Sequence, residues 1–142
     1  MSMAAAEGDR RVANVVQIGT VTDVDAATSR ARVKAGEIEG WFAVAHMRAG
    51  ALSFWWMPAV GEQVVVVVPS GEAARGVILA GIYAGNAPSS DPATPMIELG
   101  GGKLVVNGDI EVNGEVTANG IALSTHVHGG VMPGGGNTGG PQ

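Results

Sequence analysis

From Val106 to Leu123 the chain reads VNGDIE, VNGEVT, ANGIAL, so Asn-Gly returns at 107, 113 and 119 with a period of six. Asn-Gly tolerates positive φ and permits a sharp corner, and the four residues between corners make one short strand. Six-residue repeats of this kind signal a β-helix or prism. A meander of hairpins with Asn-Gly turns is the alternative, although strands of four residues joined by two-residue turns bury little and are marginal alone. One chain carries only three such hexads, a single triangular turn, whereas repeat architectures need about three stacked units before neighbours bury each other's faces. The missing partners are expected from other copies. Three chains wound together would place a strand from each on every face and satisfy backbone pairing that one copy cannot. The expected element is a short, intertwined trimeric β-helix over residues 98–124.

Strand side chains alternate with period two, so parity assigns faces. Even positions give Leu104, Val106, Ile110, Val112, Val116, Ala118 and Ala122, all apolar or small, while odd positions give Lys103, Asn107, Asp109, Glu111, Asn113, Glu115, Thr117 and Asn119. Continued forward, the inward parity reaches Ser124, His126 and His128. Ile121 and Leu123 are apolar at odd positions, and a bulge near Gly120 would reverse the faces and turn both histidines outward. With the inward parity, three chains bring six imidazoles to one axial point, a number that suits an octahedral site. Zinc prefers four ligands, so six neutral nitrogens argue for iron(II) or nickel(II), with iron favoured in a cell. Closed coordination of this kind is structural, since catalysis needs an open position. By itself, a His-x-His pair is usually a polar strand end. His46, far from any other ligand in sequence, reads as structural.

Working outward, residues 125–142 form the expected metal-binding tip and a glycine-rich cap. Residues 85–97, GNAPSSDPATPMI, read as a Pro-rich extended linker. Before it, Val- and Ile-rich stretches at about 14–24, 29–35, 38–46, 62–68 and 75–83, separated by turn-like segments, predict five strands in an OB-fold-like barrel over residues 13–84. A sandwich fragment or an SH3-like barrel would show nearly the same pattern. The run Val64–Val68 is too short for a membrane span and too β-branched to favour a helix, which predicts a strand buried on both faces. Residues 1–12 are left as an N-terminal arm. The fold class is thus all-β.

Composition narrows the function. The chain is 46% hydrophobic with a net charge of −5, which supports a core and disfavours a phosphate-binding surface. With no cysteine, any metal must be held by imidazole, carboxylate or backbone oxygen. The N-terminus has its charges after its alanine run, the reverse of a secretory signal, so the chain reads as made in the cytoplasm and soluble.

The barrel with Val60-Gly61-Glu62-Gln63-Val64-Val65-Val66 and Gly76-Val77-Ile78-Leu79-Ala80-Gly81, the Pro-rich joint, the glycine-punctuated repeat and the ending His126-Val127-His128-Gly129-Gly130 together resemble the central spike, or baseplate assembly protein V, of contractile-tailed bacteriophages. Related pieces occur in R-type tailocins and in the valine-glycine-repeat spikes of type VI secretion. The resemblance implies a homotrimeric needle in the virion, at the tip of the tail baseplate, synthesised in the host cytoplasm. Its OB-fold collar would attach to the tail hub, and the pointed end would carry one iron ion held by His126 and His128 of all three chains. Such a spike is driven through the host outer membrane when the sheath contracts. Some relatives add a lysozyme domain or a much longer helix; this chain has room for neither, which puts wall digestion out of its reach. About five six-residue faces between Glu98 and His128, each climbing about 4.8 Å, give a needle roughly 25 Å long, comparable to a bilayer's hydrocarbon core of about 30 Å.

Two other functions are weighed beside it. Hexapeptide-helix acyltransferases stack many turns and use a histidine base, and no Ser-His-Asp or paired-carboxylate setting can be assembled from this sequence, so the protein is not expected to be an enzyme. OB-folds also grip oligonucleotides or oligosaccharides, and Trp41, Trp55 and Trp56 are candidates for stacking. The negative charge opposes nucleic acid, no small-molecule substrate is implied, and Trp55-Trp56 beside Met57-Pro58 equally suits a contact with the hub or a neighbouring subunit.

Overall fold

The computed structural model describes residues 2–130 and 134, and the chain divides into two units, Met1–Ile97 and Glu98–Gln142. The first unit is built on β1 (Val16–Asp25), β2 (Arg30–Ala35), β3 (Ile38–Val44), β4 (Arg48–Ala49), β5 (Ser53–Phe54), β6 (Gln63–Val67) and β7 (Val77–Ile82). Five of these close a barrel in the order β1-β2-β3-β7-β6, while β4 and β5 form a separate small hairpin in the β3–β6 connection. The five strands fall where the Val- and Ile-rich stretches predicted them.

Pairing is antiparallel around the barrel except at the closure, where β3 runs parallel to β7 through Ala43↔Val77 and Val44↔Ile78. The β1–β2 turn is held by Asp25, whose carboxylate accepts from the Ala27 N–H (3.1 Å) and the Thr28 hydroxyl (2.7 Å). These bonds favour the charged carboxylate and lower its pKa, the Thr28 hydroxyl contributing most. Phe42, Val21, Val33, Val64, Val66 and Val68 are the largest fully buried side chains, with Ala31, Ala35, Ile38 and Ile78 completing the core. Valine dominates because a small barrel interior accepts short β-branched side chains from alternating positions.

The Val64–Val68 run corrects one expectation. It is a strand, yet only Val64, Val66 and Val68 are fully buried, while Val65 and Val67 are partly covered. A closed barrel has one interior, so alternate residues must point outward even in an unbroken apolar run.

Three glycines fit this packing by lacking a side chain. A Cβ on Gly19 would stand 2.6 Å from Val33, one on Gly76 would stand 2.6 Å from the Phe42 ring, and one on Gly81 would collide with the Glu62 carboxylate.

Residues 1–12, read from the sequence as an N-terminal arm, contribute most of helix α1 (Met3–Ala13). Ser2 caps it by accepting from the Ala5 N–H at 3.1 Å, the alanine run favours helix, and Glu7 pairs with Arg10 and Arg11, each at 2.8 Å. The helix approaches the barrel over Gly71, where an added Cβ would lie 2.9 Å from the Arg11 Cα. These signals were present in the sequence: a capping serine, good helix formers and an i, i+4 ion pair.

The second unit has little regular structure among its described residues: β8 (Thr117–Ala118) and β9 (Ile121–Ala122) pair as a minimal hairpin. Leu104, Val106, Ile110, Val112 and Val116 are 42–69% exposed. The repeat therefore has an apolar set that stands largely exposed among the described residues.

Candidate metal-binding apex

The β8–β9 hairpin turns on Asn119-Gly120, both in the left-handed region at φ 50° and 80°, which is the requirement of a two-residue type I′ loop. Ala118 faces Ile121 and Thr117 faces Ala122, and the Leu123 N–H extends the ladder to the Val116 carbonyl at 2.8 Å. Directly opposed residues share a face. Val116, Ala118, Ile121 and Leu123 therefore form one apolar face, even-numbered before the turn and odd-numbered after it.

This explains the apolar pair that broke the sequence parity. A two-residue turn, rather than a one-residue bulge, exchanges the numbering of the faces. A parity count carried straight through to His128 consequently does not hold in this chain, and a further turn over residues 123–125 resets it again.

The other face of the hairpin is polar and tied together by Glu115. Its carboxylate accepts from the Ser124 hydroxyl, from the Ser124 N–H at 3.2 Å and from the Val116 N–H at 3.0 Å. The Ser124 hydroxyl, followed by the Ser124 backbone N–H, holds the Glu115 carboxyl below the usual carboxylate range. Glu115 thus locks the start of the hairpin to the segment that delivers the histidines.

His126 and His128 come together within one chain. Their ring centroids are 5.3 Å apart with planes at 79°, and Val127 between them is 89% exposed. The His126 Nδ1 lies 2.7 Å from the Leu123 carbonyl, which can only accept, so Nδ1 carries the proton and Nε2 keeps a free lone pair. That arrangement is the one in which a backbone carbonyl orients a metal-ligating imidazole. The donor set fits a borderline transition metal, but two nitrogens are only part of a shell; among the described residues no cluster of three or more His, Asp or Glu exists. Residues 131–133 and 135–142, which carry most of the cap expected from the sequence, lie outside the described residues.

His46 is elsewhere, in the barrel. The Trp56 N–H points to its Nδ1 at 3.4 Å, so Nε2 is the protonated nitrogen and donates to Ser29 Oγ at 2.8 Å. Ser29 in turn donates to the Met57 sulfur at 3.7 Å. A histidine that donates to a serine cannot remove its proton, the reverse of the order a nucleophilic dyad requires. The group instead fastens the β3–β6 connection to the β1–β2 turn. Of the three tryptophans, Trp55 and Trp56 stand on that connection, 61% and 44% exposed, and Trp41 lies on β3 at 38%.

Residues 17–83, nearly the whole barrel, match the model of the type VI secretion system/phage-baseplate injector OB domain, and residues 120–142, which include both apex histidines, match the GpV apex motif. The barrel and the end of the chain thus match, in order, two parts found in phage-baseplate proteins, an injector OB domain and an apex motif. The chain is 36% identical over 81 residues to the spike protein of Escherichia phage P2, a match that takes in 56% of this chain and 38% of that relative. The chain therefore spans well under two thirds of the length of the curated relative it resembles.

Proposed function

We propose that this chain is the central spike of a contractile phage tail, a non-enzymatic structural part that sits at the baseplate tip of the virion and pierces the host outer membrane. The observation that carries the reading is the order of parts: an injector OB domain, then a repeat with an uncovered apolar face, then an apex motif holding two imidazoles side by side. In the proposed division of labour, residues 13–84 form the collar that meets the tail hub, 85–97 the joint, 98–124 a triple-stranded β-helix and 125–142 the tip.

Trimer formation is supported by the repeat, whose Leu104, Val106, Ile110, Val112 and Val116 are 42–69% exposed in the single chain, an apolar set that other copies would cover. Three copies supply six imidazole nitrogens from His126 and His128, enough for one octahedral iron. The ion would supply a structural clasp at the last layer, where three chain ends otherwise fray under load. What the chain itself contributes is the tautomer set by the Leu123 carbonyl and the lock between Glu115 and Ser124.

The test is metal analysis of the purified protein together with sedimentation. One iron per three chains in a trimer is the expected result. A metal-free monomer would overturn the reading.

A further inference from the structure

Beyond the apex, the barrel carries an unused groove of about 270 Å³, bounded on one side by Trp56, Met57 and Pro58 and on the other by Leu79, Ala80 and Gly81. At this size it falls short of ordinary small-molecule sites. Its second wall is an open strand edge. β3 pairs with β7 only as far as Ile78, whose carbonyl accepts from the Ala45 N–H at 2.9 Å, so Leu79–Ile82 have β6 on one side and no strand on the other among the described residues.

The aromatic wall is fixed in place. The Trp56 backbone N–H points to the His46 Nδ1, Met57 receives the Ser29 hydroxyl, and the Glu62 carboxylate accepts from the Ala59 N–H at 2.9 Å just beyond Pro58. Phe54 braces Trp56 with ring centroids 6.2 Å apart. A wall anchored through its backbone loses less freedom on binding than an unanchored loop would. A rigid aromatic wall facing an open strand edge suits an extended, uncharged, proline-bearing segment rather than a helix or a compact ligand.

The chain itself contains such a segment. Thr94-Pro95-Met96-Ile97 follows a turn pinned by Asp91, has no charge, and leaves Met96 and Ile97 at 53% and 58% exposure, outside the groove. The proline holds Thr94 extended. We infer that the groove between Trp56 and the β7 edge receives the Thr94–Ile97 segment of a second copy. Each linker would then lie across its neighbour's barrel and add to the interface that joins the copies. The inference rests on the oligomer of the proposed function, whose uncovered surface calls for a second copy as occupant.

The test exploits the absence of cysteine. In the full chain, Ala80→Cys is combined with Met96→Cys, the protein is treated with a mild oxidant, and the product is read on a non-reducing gel beside sedimentation of the same sample. Covalent dimers and trimers are expected. A bridge confined within single chains, or free thiols in a sample that sediments as an oligomer, overturns the inference while leaving the spike reading intact; a monomer in sedimentation removes both. Leu79→Cys with Ile97→Cys repeats the measurement should the first pair fail to fold. Adding Trp56→Ala to either pair is expected to slow cross-linking about tenfold, and an unchanged rate excludes the tryptophan wall.

Discussion

The barrel and the apex unit use apolar residues in opposite ways. In the barrel, ten hydrophobic residues form a buried core contributed by one chain, whereas in the apex unit residues of the same types stand exposed. The difference lies in closure. Five strands meeting edge to edge give one chain an interior, while four-residue strands between Asn-Gly corners give it only a face. Apex stability should therefore depend on concentration much more than barrel stability, whose core one chain completes.

The largest expected effect attacks the barrel. Phe42→Ala empties the centre of the core and is expected to cost about 3–5 kcal/mol, read as a lowered urea midpoint of the barrel. An unchanged midpoint would mean that the barrel core does not depend on Phe42. Next, Ile110→Asp places a charge where burial by other copies is expected and should forfeit about 2 kcal/mol of association per chain. Sedimentation should show dissociation while circular dichroism retains the barrel; an unaffected oligomer would place Ile110 on the solvent side.

A smaller effect sharpens the turn. Gly120→Ala forces a side chain into the left-handed region at φ 80°, at a cost of about 1–2 kcal/mol, visible as loss of the Thr117–Ala122 amide pattern in NMR spectra. Retention of that pattern would favour a corner in place of the type I′ loop. The smallest lies at α1. The salt bridges from Arg10 and Arg11 lower the Glu7 pKa to about 2. A depressed carboxylate pKa gives stability that is present above the unfolded value of about 4.3 and is lost as pH falls through the folded value. Helix signal from α1 should thus fade on acidification from about pH 4.5 to 2, and should be insensitive to pH in Glu7→Gln.

Much of the barrel was legible because a half-buried strand writes its burial into alternation and turn residues. The five strands, the Pro-rich joint and the paired histidines were each visible in local sequence. Val65 and Val67 were misjudged because an unbroken valine run reads alike in a strand covered on both faces and in one at a barrel wall. His46 could be called structural, but its link to Ser29 and Trp56 spans 17 residues one way and 10 the other, a distance no local pattern encodes.

The apex shows the division most clearly. By itself the sequence determined that Asn119-Gly120 is a corner, that the hexads carry one apolar set and that His126 and His128 are paired, because those properties depend on neighbouring residues alone. Only tertiary structure decided that the corner is a two-residue turn, that it exchanges odd and even faces, and that the Leu123 carbonyl fixes the His126 tautomer. The physical reason is that backbone hydrogen bonds, and not side-chain periodicity, determine which residues stand opposite one another, and a register exists only once two strands have met.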